Sequence, residues 1–172
     1  SVNANGVVVP VTTFPPPPQD GDTIDLGGVI LDGLMLASEE PALELDGTQH
    51  HSLSNVTLRK FPGTGLHLRN GAARNVFQQV MIEEPAGGGV VLETGASDNR
   101  FHALVIRGAG GPGLRLSAAN YNVFTSDSAY SAFGDPLKVM RVNQSAGHGI
   151  WLEADSAGNA LDPWEVRGNA GD

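Results

Sequence analysis

Apolar and polar residues alternate in short stretches through the middle of the chain, and the stretches return at a fixed distance. Residues 49–72 read QHHSLSNVTLRKFPGTGLHLRNGA, residues 73–96 ARNVFQQVMIEEPAGGGVVLETGA and residues 97–119 SDNRFHALVIRGAGGPGLRLSAA. The spacing is 24 residues, fixed by Gly63, Gly87 and Gly111 in one column, Gly65, Gly89 and Gly113 in a second, and Gly47, Gly71 and Gly95 in a third. Recurrent glycines mark turns, where a missing Cβ permits tight backbone paths. Between the turns each repeat carries three stretches that alternate with period two and are too brief for helices, so each is predicted to be a strand.

The alternation also names the core. Leu53, Phe77, Phe101 and Phe124 fall in one column, Val56, Val80 and Leu104 in another, and Leu58, Ile82 and Ile106 in a third. The strand after the glycines contributes Leu66, Val90, Leu114 and Ile150, then Leu45, Leu68, Leu92, Leu116 and Leu152. A unit of this size cannot bury its apolar face alone, so successive units must stack with their strands parallel and like residues on like. The prediction is an all-β solenoid, a right-handed parallel β-helix of about six coils standing roughly 30 Å tall at strand spacing, its hand following the strong bias of parallel crossovers.

The ends and one coil depart from the pattern. Residues 25–48 read as a degraded first coil, with Leu34 and Leu36 expected in the columns of Val56 and Leu58. Residues 1–24 are expected to form a capping strand, Val7–Val11, and an extended proline-rich loop, Pro15–Pro18. Asn159, Leu161, Trp164, Val166, Arg167 and Gly168 repeat Asn99, Phe101, Leu104, Ile106, Arg107 and Gly108 at a constant offset of 60. A solenoid end left bare exposes strand edges. The ends are therefore expected to be capped, continued by a longer chain, or covered in a homo-oligomer. The coil that starts at Asn120 is roughly 14 residues over length before Gly149–Leu152 restores the pattern, which places an inserted loop at about 128–146.

The repeat, its unequal strands and its stacked columns resemble the right-handed parallel β-helix (pectate lyase-like) superfamily, the fold of pectate lyases, polygalacturonases, alginate epimerases and phage tailspikes. The resemblance covers roughly residues 25–168 and is specific for fold only. It implies an extracellular or secreted setting and a polysaccharide partner. Its enzymes act on acidic polysaccharides with an Arg or Lys base beside a cation-neutralised carboxylate, with a Tyr and His pair, or with paired Asp. On this chain that resemblance singles out His102 with Tyr130 and Lys138, or Asp127 with Asp135. Asp135-Pro136 lacks the His-Glu that follows in alginate epimerases.

Charge and composition narrow the partners. Formal net charge is -9, which argues against nucleic acid and against a polyanion without a bridging cation. The apolar runs fall far short of the roughly 20 residues of a membrane span, so no membrane partner is expected. With no cysteine there is no disulfide or thiolate chemistry. The five histidines are scattered and suggest no metal cluster. Asp20, Asp22 and Asp25 lie close enough for calcium, but the closing Glu of an EF-hand is missing, and no other cofactor is expected.

The remaining candidates sit on outward columns. Glu44, His67, Val91, Arg115 and Trp151 share one, where a Trp flanked by Arg on a flat sheet suits stacking against a sugar ring. Arg115, Trp151 and His67, with Arg141 from the inserted loop, are the candidate binding residues. Arg59, Glu83 and Arg107 alternate in sign down one strand column, as do Asp46, Arg69 and Glu93 down another, which favours register-holding ladders. Asn75, Asn99 and Asn122 share a turn column with His51 and are expected to stack structurally. Gly108–Gly113 spells a dinucleotide fingerprint, yet its glycines belong to the repeat and no helix is expected to follow. Two functional classes stand: a non-catalytic module, structural or carbohydrate-binding, of an extracellular or phage-type protein, and a polysaccharide-active lyase, epimerase or glycoside hydrolase.

Overall fold

A single left-handed residue divides the long strand of each central coil. Asn55, Gln79 and Ala103 have φ of 56°, 54° and 60°, conformations costly for most side chains and held by stacking on the next coil. On either side of them the chain is extended, so two of the three expected strands per coil join into one bent strand. The computed structural model describes residues 23–32, by their backbone, and residues 39–126, 140–162 and 165–171.

The described strands are β1 (Thr23–Asp32), β2 (Leu43–Asp46), β3 (Ser52–Arg59), β4 (Leu66–Arg69), β5 (Val76–Glu83), β6 (Val90–Leu92) and β7 (Arg100–Arg107), followed by β8 (Leu114–Leu116), β9 (Val123–Thr125), β10 (Arg141–Asn143), β11 (Ile150–Leu152), β12 (Ala160–Leu161) and β13 (Glu165–Arg167). They form two all-parallel sheets. The larger has β1, β3, β5, β7, β10 and β13 in order, with β9 and β12 continuing the first half of β7, and the smaller runs β2, β4, β6, β8, β11. The fold is an all-β parallel solenoid of about five turns, with no helix among the described residues.

Registers reproduce the expected columns. Leu53, Phe77, Phe101 and Phe124 align strand by strand, and their rings stack with centroids 4.6 Å apart (Phe77–Phe101) and 4.5 Å apart (Phe101–Phe124). Close stacks of this kind add about 0.5–1.5 kcal/mol per pair beyond the area they bury. Leu66, Val90 and Leu114 align on the smaller sheet, as do Leu68, Leu92 and Leu116, all fully buried. The core thus runs unbroken along the axis. It opens at the last coil, where Leu152 is 48% exposed while Leu116, one coil earlier in its column, is 0% exposed.

The asparagine column is a continuous hydrogen-bonded ladder. Nδ2 of Asn75, Asn99 and Asn122 donates to Oδ1 of the Asn in the next coil at 3.0, 3.0 and 3.1 Å, ending on Asn159. The same three Nδ2 groups donate to the carbonyls of Thr48, Ala72 and Ala96. Each Oδ1 also accepts a backbone N–H, and that of Asn75 accepts from His51. Buried amides are tolerated because their bonds are made.

Two boundaries differ from expectation. In the first coil Val29 and Leu31, not Leu34 and Leu36, pair with Val56 and Leu58, because the register shifts between Asp25 and Val29 and takes in Leu26–Gly28 as extra length at the bend. Thr23 and Ile24 already pair with Ser52 and Leu53, so the solenoid begins before residue 25. The interrupted coil closes earlier than the expected 128–146. Arg141–Asn143 pairs with Val105–Arg107, Met140 is fully buried, and the Ala146 N–H donates to Ala109 O at 2.7 Å. The interruption therefore lies between Ser126 and Met140, at the bend occupied by Ala103 one coil earlier. Met140 N–H donates to Ser126 Oγ at 3.0 Å and joins the two sides. The expected capping strand, Val7–Val11, and Pro15–Pro18 lie outside the described residues.

Candidate functional site

On the smaller sheet the outward column forms as expected, with Glu44 beside His67, His67 beside Val91, Val91 beside Arg115 and Arg115 beside Trp151. Parallel pairing brings their side chains within reach, and most of them are engaged with one another. His67 Nδ1 lies 3.3 Å from Glu44 Oε1, and Nε2 lies 3.1 Å from Glu93 Oε2 without hydrogen-bond alignment. Arg69 Nε reaches Glu44 Oε1 at 2.9 Å and its Nη2 reaches Asp46 Oδ2 at 3.0 Å. Arg115 forms a fork with Glu153, Nε to Oε1 at 2.9 Å and Nη2 to Oε2 at 3.1 Å.

Trp151 closes this column. Its ring carries the Arg115 guanidinium 5.5 Å from its centroid, and the His148 ring 5.3 Å away at a tilt of 54°. The Arg115 hydrogen bond, with a smaller one from Ser117, holds the Glu153 carboxyl below its ordinary range, and the same bond raises Arg115. The Trp is 40% exposed, so one aromatic surface stands in solvent beside a fixed cation. That arrangement suits a ring bearing hydroxyl groups, with apolar C–H faces for the indole and oxygens for the guanidinium.

His102 lies in an outward column of the larger sheet with Ser54, Gln78 and Thr125, and its Nδ1 is 2.9 Å from Thr125 Oγ1. Tyr130, Lys138, Asp127 and Asp135 lie outside the described residues. Asp20 and Asp22 also lie outside, and Asp25 is placed only by its backbone, opposite Ser54. Among the described residues no group of three or more His, Asp or Glu side chains is gathered for a metal ion. The Gly108–Gly113 segment is a turn. The N–H groups of Gly110 and Gly111 donate to Pro85 O and Gly87 O, and β8 follows.

Arg141 is not on a loop but on β10, where it joins a basin of about 370 Å³ with Arg107, Asn143, Glu165 and Arg167. Sequence reasoning missed this grouping because Asn143 was assigned to the inserted loop. Register places it between Arg107 and Arg167 in the column that begins Arg59, Glu83. The sign alternation stops at a neutral amide, and the offset that aligned Arg167 with Arg107 was the available signal.

Among the described residues no helix is long and apolar enough to cross a membrane. Compared with protein-family models, curated proteins and solved structures, the chain matches none. The class defined by the fold is the parallel β-solenoid.

Proposed function

We propose that this chain is a non-catalytic β-helix module of an extracellular or phage-type protein that binds carbohydrate on its smaller sheet, with a fold of the right-handed, pectate lyase-like kind. The observation that carries the reading is Trp151, part-exposed at the end of a flat outward column with Arg115 fixed over its ring. Fixing matters because a side chain already held by Glu153 loses little freedom when a ligand arrives. The ladders support the non-catalytic side of the reading: His67 sits between two carboxylates and Arg115 is locked in a fork, arrangements that hold register.

The test is a panel of neutral and uronate-containing polysaccharides, with and without calcium, read by affinity electrophoresis and by release of unsaturated or reducing ends. Binding without turnover is expected, weakened about tenfold or more in Trp151→Ala, as for an aromatic anchor. Release of new ends would replace the module reading with a polysaccharide-active enzyme. Binding unchanged by Trp151→Ala would remove the site from this sheet.

A further inference from the structure

We infer that the basin formed by Arg107, Arg141 and Arg167 on the larger sheet binds one compact oxyanion, a carboxylate or phosphate group carried by a small ligand. The site is separate from the Trp151 face and stands or falls independently of it.

The argument begins with the interrupted alternation. Down the column Arg59, Glu83, Arg107, Asn143, Arg167, an acid is expected opposite Arg107 on β10, and an amide stands there. Arg141, one column over, adds a third cation beside it and pairs in register with Glu165. Among the described residues the acids do not balance these groups. Glu83 is 3.8 Å from Arg107, and Glu165 is shared by Arg167 at 2.7 Å, Asn143 Nδ2 at 3.2 Å and Arg141 at 3.7 Å. Among the described residues, three guanidinium groups against two carboxylates leave one positive charge, in a chain whose formal charge is -9.

Arg141 carries an unsatisfied donor. Its side chain is 23% exposed, and its Nε has no hydrogen-bond partner among the described residues. A largely buried guanidinium whose Nε lacks an aligned acceptor holds an anion at its outer N–H groups more strongly than one in open water, and its planar fork matches both carboxylate and phosphate. A cavity of about 370 Å³ has room for a ligand of monosaccharide size. The negative field of the rest of the chain disfavours a long polyanion, so the basin selects a small ligand carrying a single anionic group.

The experiment is calorimetric titration of the full chain at low ionic strength with sodium galacturonate and, separately, with inorganic phosphate, using a neutral methyl galactoside as control. Saturable one-site binding of at least one anion is expected, and it should persist in Trp151→Ala, a variant that removes the sugar-stacking face and should not bind the neutral sugar. Galacturonate alone would assign a carboxylate ligand, phosphate alone a phosphate ligand, and both a general oxyanion site. Binding should weaken about tenfold in Arg141→Gln, the loss of one charge-assisted contact. Asn143→Asp, which restores the acid to the alternation and keeps all three arginines, should weaken it comparably, and thermal melts would show that each variant is folded. If Arg141→Gln does not fold, Asn143→Asp decides. The inference is overturned if neither anion saturates the native chain, if the neutral sugar binds Trp151→Ala as well as the anion does, or if folded Arg141→Gln and Asn143→Asp bind like the native chain.

Discussion

Replacing Asn99 by Ala should be among the most damaging polar substitutions this chain can suffer. Asn99 is fully buried, and its side chain takes part in four hydrogen bonds. Two of the lost bonds are harmless to their acceptors, since Ala72 O still accepts from Ser97 N–H and Asn122 Oδ1 still accepts from Asn99 N–H. The other two strand donors. The Asn75 backbone N–H and one Nδ2 hydrogen, both aimed at Asn99 Oδ1, are left unpaired inside a residue with 0% exposure. At roughly 1–3 kcal/mol for each buried orphan, the loss is about 4 kcal/mol. That is a large share of the roughly 5–15 kcal/mol that holds a domain folded, and it lowers the melting temperature by about 10 °C for a chain of this size.

Urea unfolding followed by circular dichroism gives the stability difference, with an unchanged m-value showing that the same surface unfolds. Asn159→Ala is the internal control. It strands the corresponding donors of Asn122, but Asn159 is only part-buried at the end of the ladder, where water can take its place. Its cost should stay below about 2 kcal/mol. Equal losses in the two variants, or a loss under about 1 kcal/mol for Asn99→Ala, would refute the view that the ladder is stabilised by satisfaction of buried donors.

Gly89→Ala should lower stability by about 1–3 kcal/mol in the same assay, since a Cβ there meets Ile106 Cγ2 and lies 2.5 Å from Gly113 O, a backbone atom that cannot turn aside. A neutral result would mean that neighbouring coils can slide apart at this turn. Glu153→Gln should change the pH dependence of stability. A carboxyl held below its ordinary range by Arg115 stabilises the fold above the ordinary carboxylate pKa, and that contribution disappears as pH falls through its depressed value. The native chain should therefore be the more stable at neutral pH, with the gap closing in acid; a gap that persists in acid would refute the assignment to this ion pair.

How much could be read from the chain depended on whether a residue answers to its neighbours one coil away. Phe77, Phe101 and Phe124 were placed correctly because each packs on its own kind, and the asparagines likewise because a ladder needs identical partners. Val29 escaped because two glycines and a leucine at the first bend shift the register, and spacing alone cannot distinguish extra length inside a strand from extra length after it. The division of each coil into three strands was sound in position. The joining of two of them was invisible, because a left-handed Gln or Ala leaves no mark in composition. Arg141 and Asn143 were misplaced for a related reason: the far side of an insertion can be located only by pairing, here with Val105 and Arg107. The basin lost its middle member as a result. Of the candidate set, His102 falls in a column with Gln78 and Thr125, whereas Tyr130, Lys138, Asp127 and Asp135 belong to extra length for which the 24-residue spacing offers no partner in sequence.

The bend at Ala103 has one more implication. Where the next coil reaches that bend, β9 ends and β10 begins, and together they pair with β7 as a single strand would. Register is thus kept on both sides of an interruption whose ends are tied by Met140 and Ser126. A solenoid made this way has a splice point at each such bend. Foreign sequence introduced between residues 126 and 140 would inherit a rigid, preformed mount, and the coil would go on stacking without reference to what it carries.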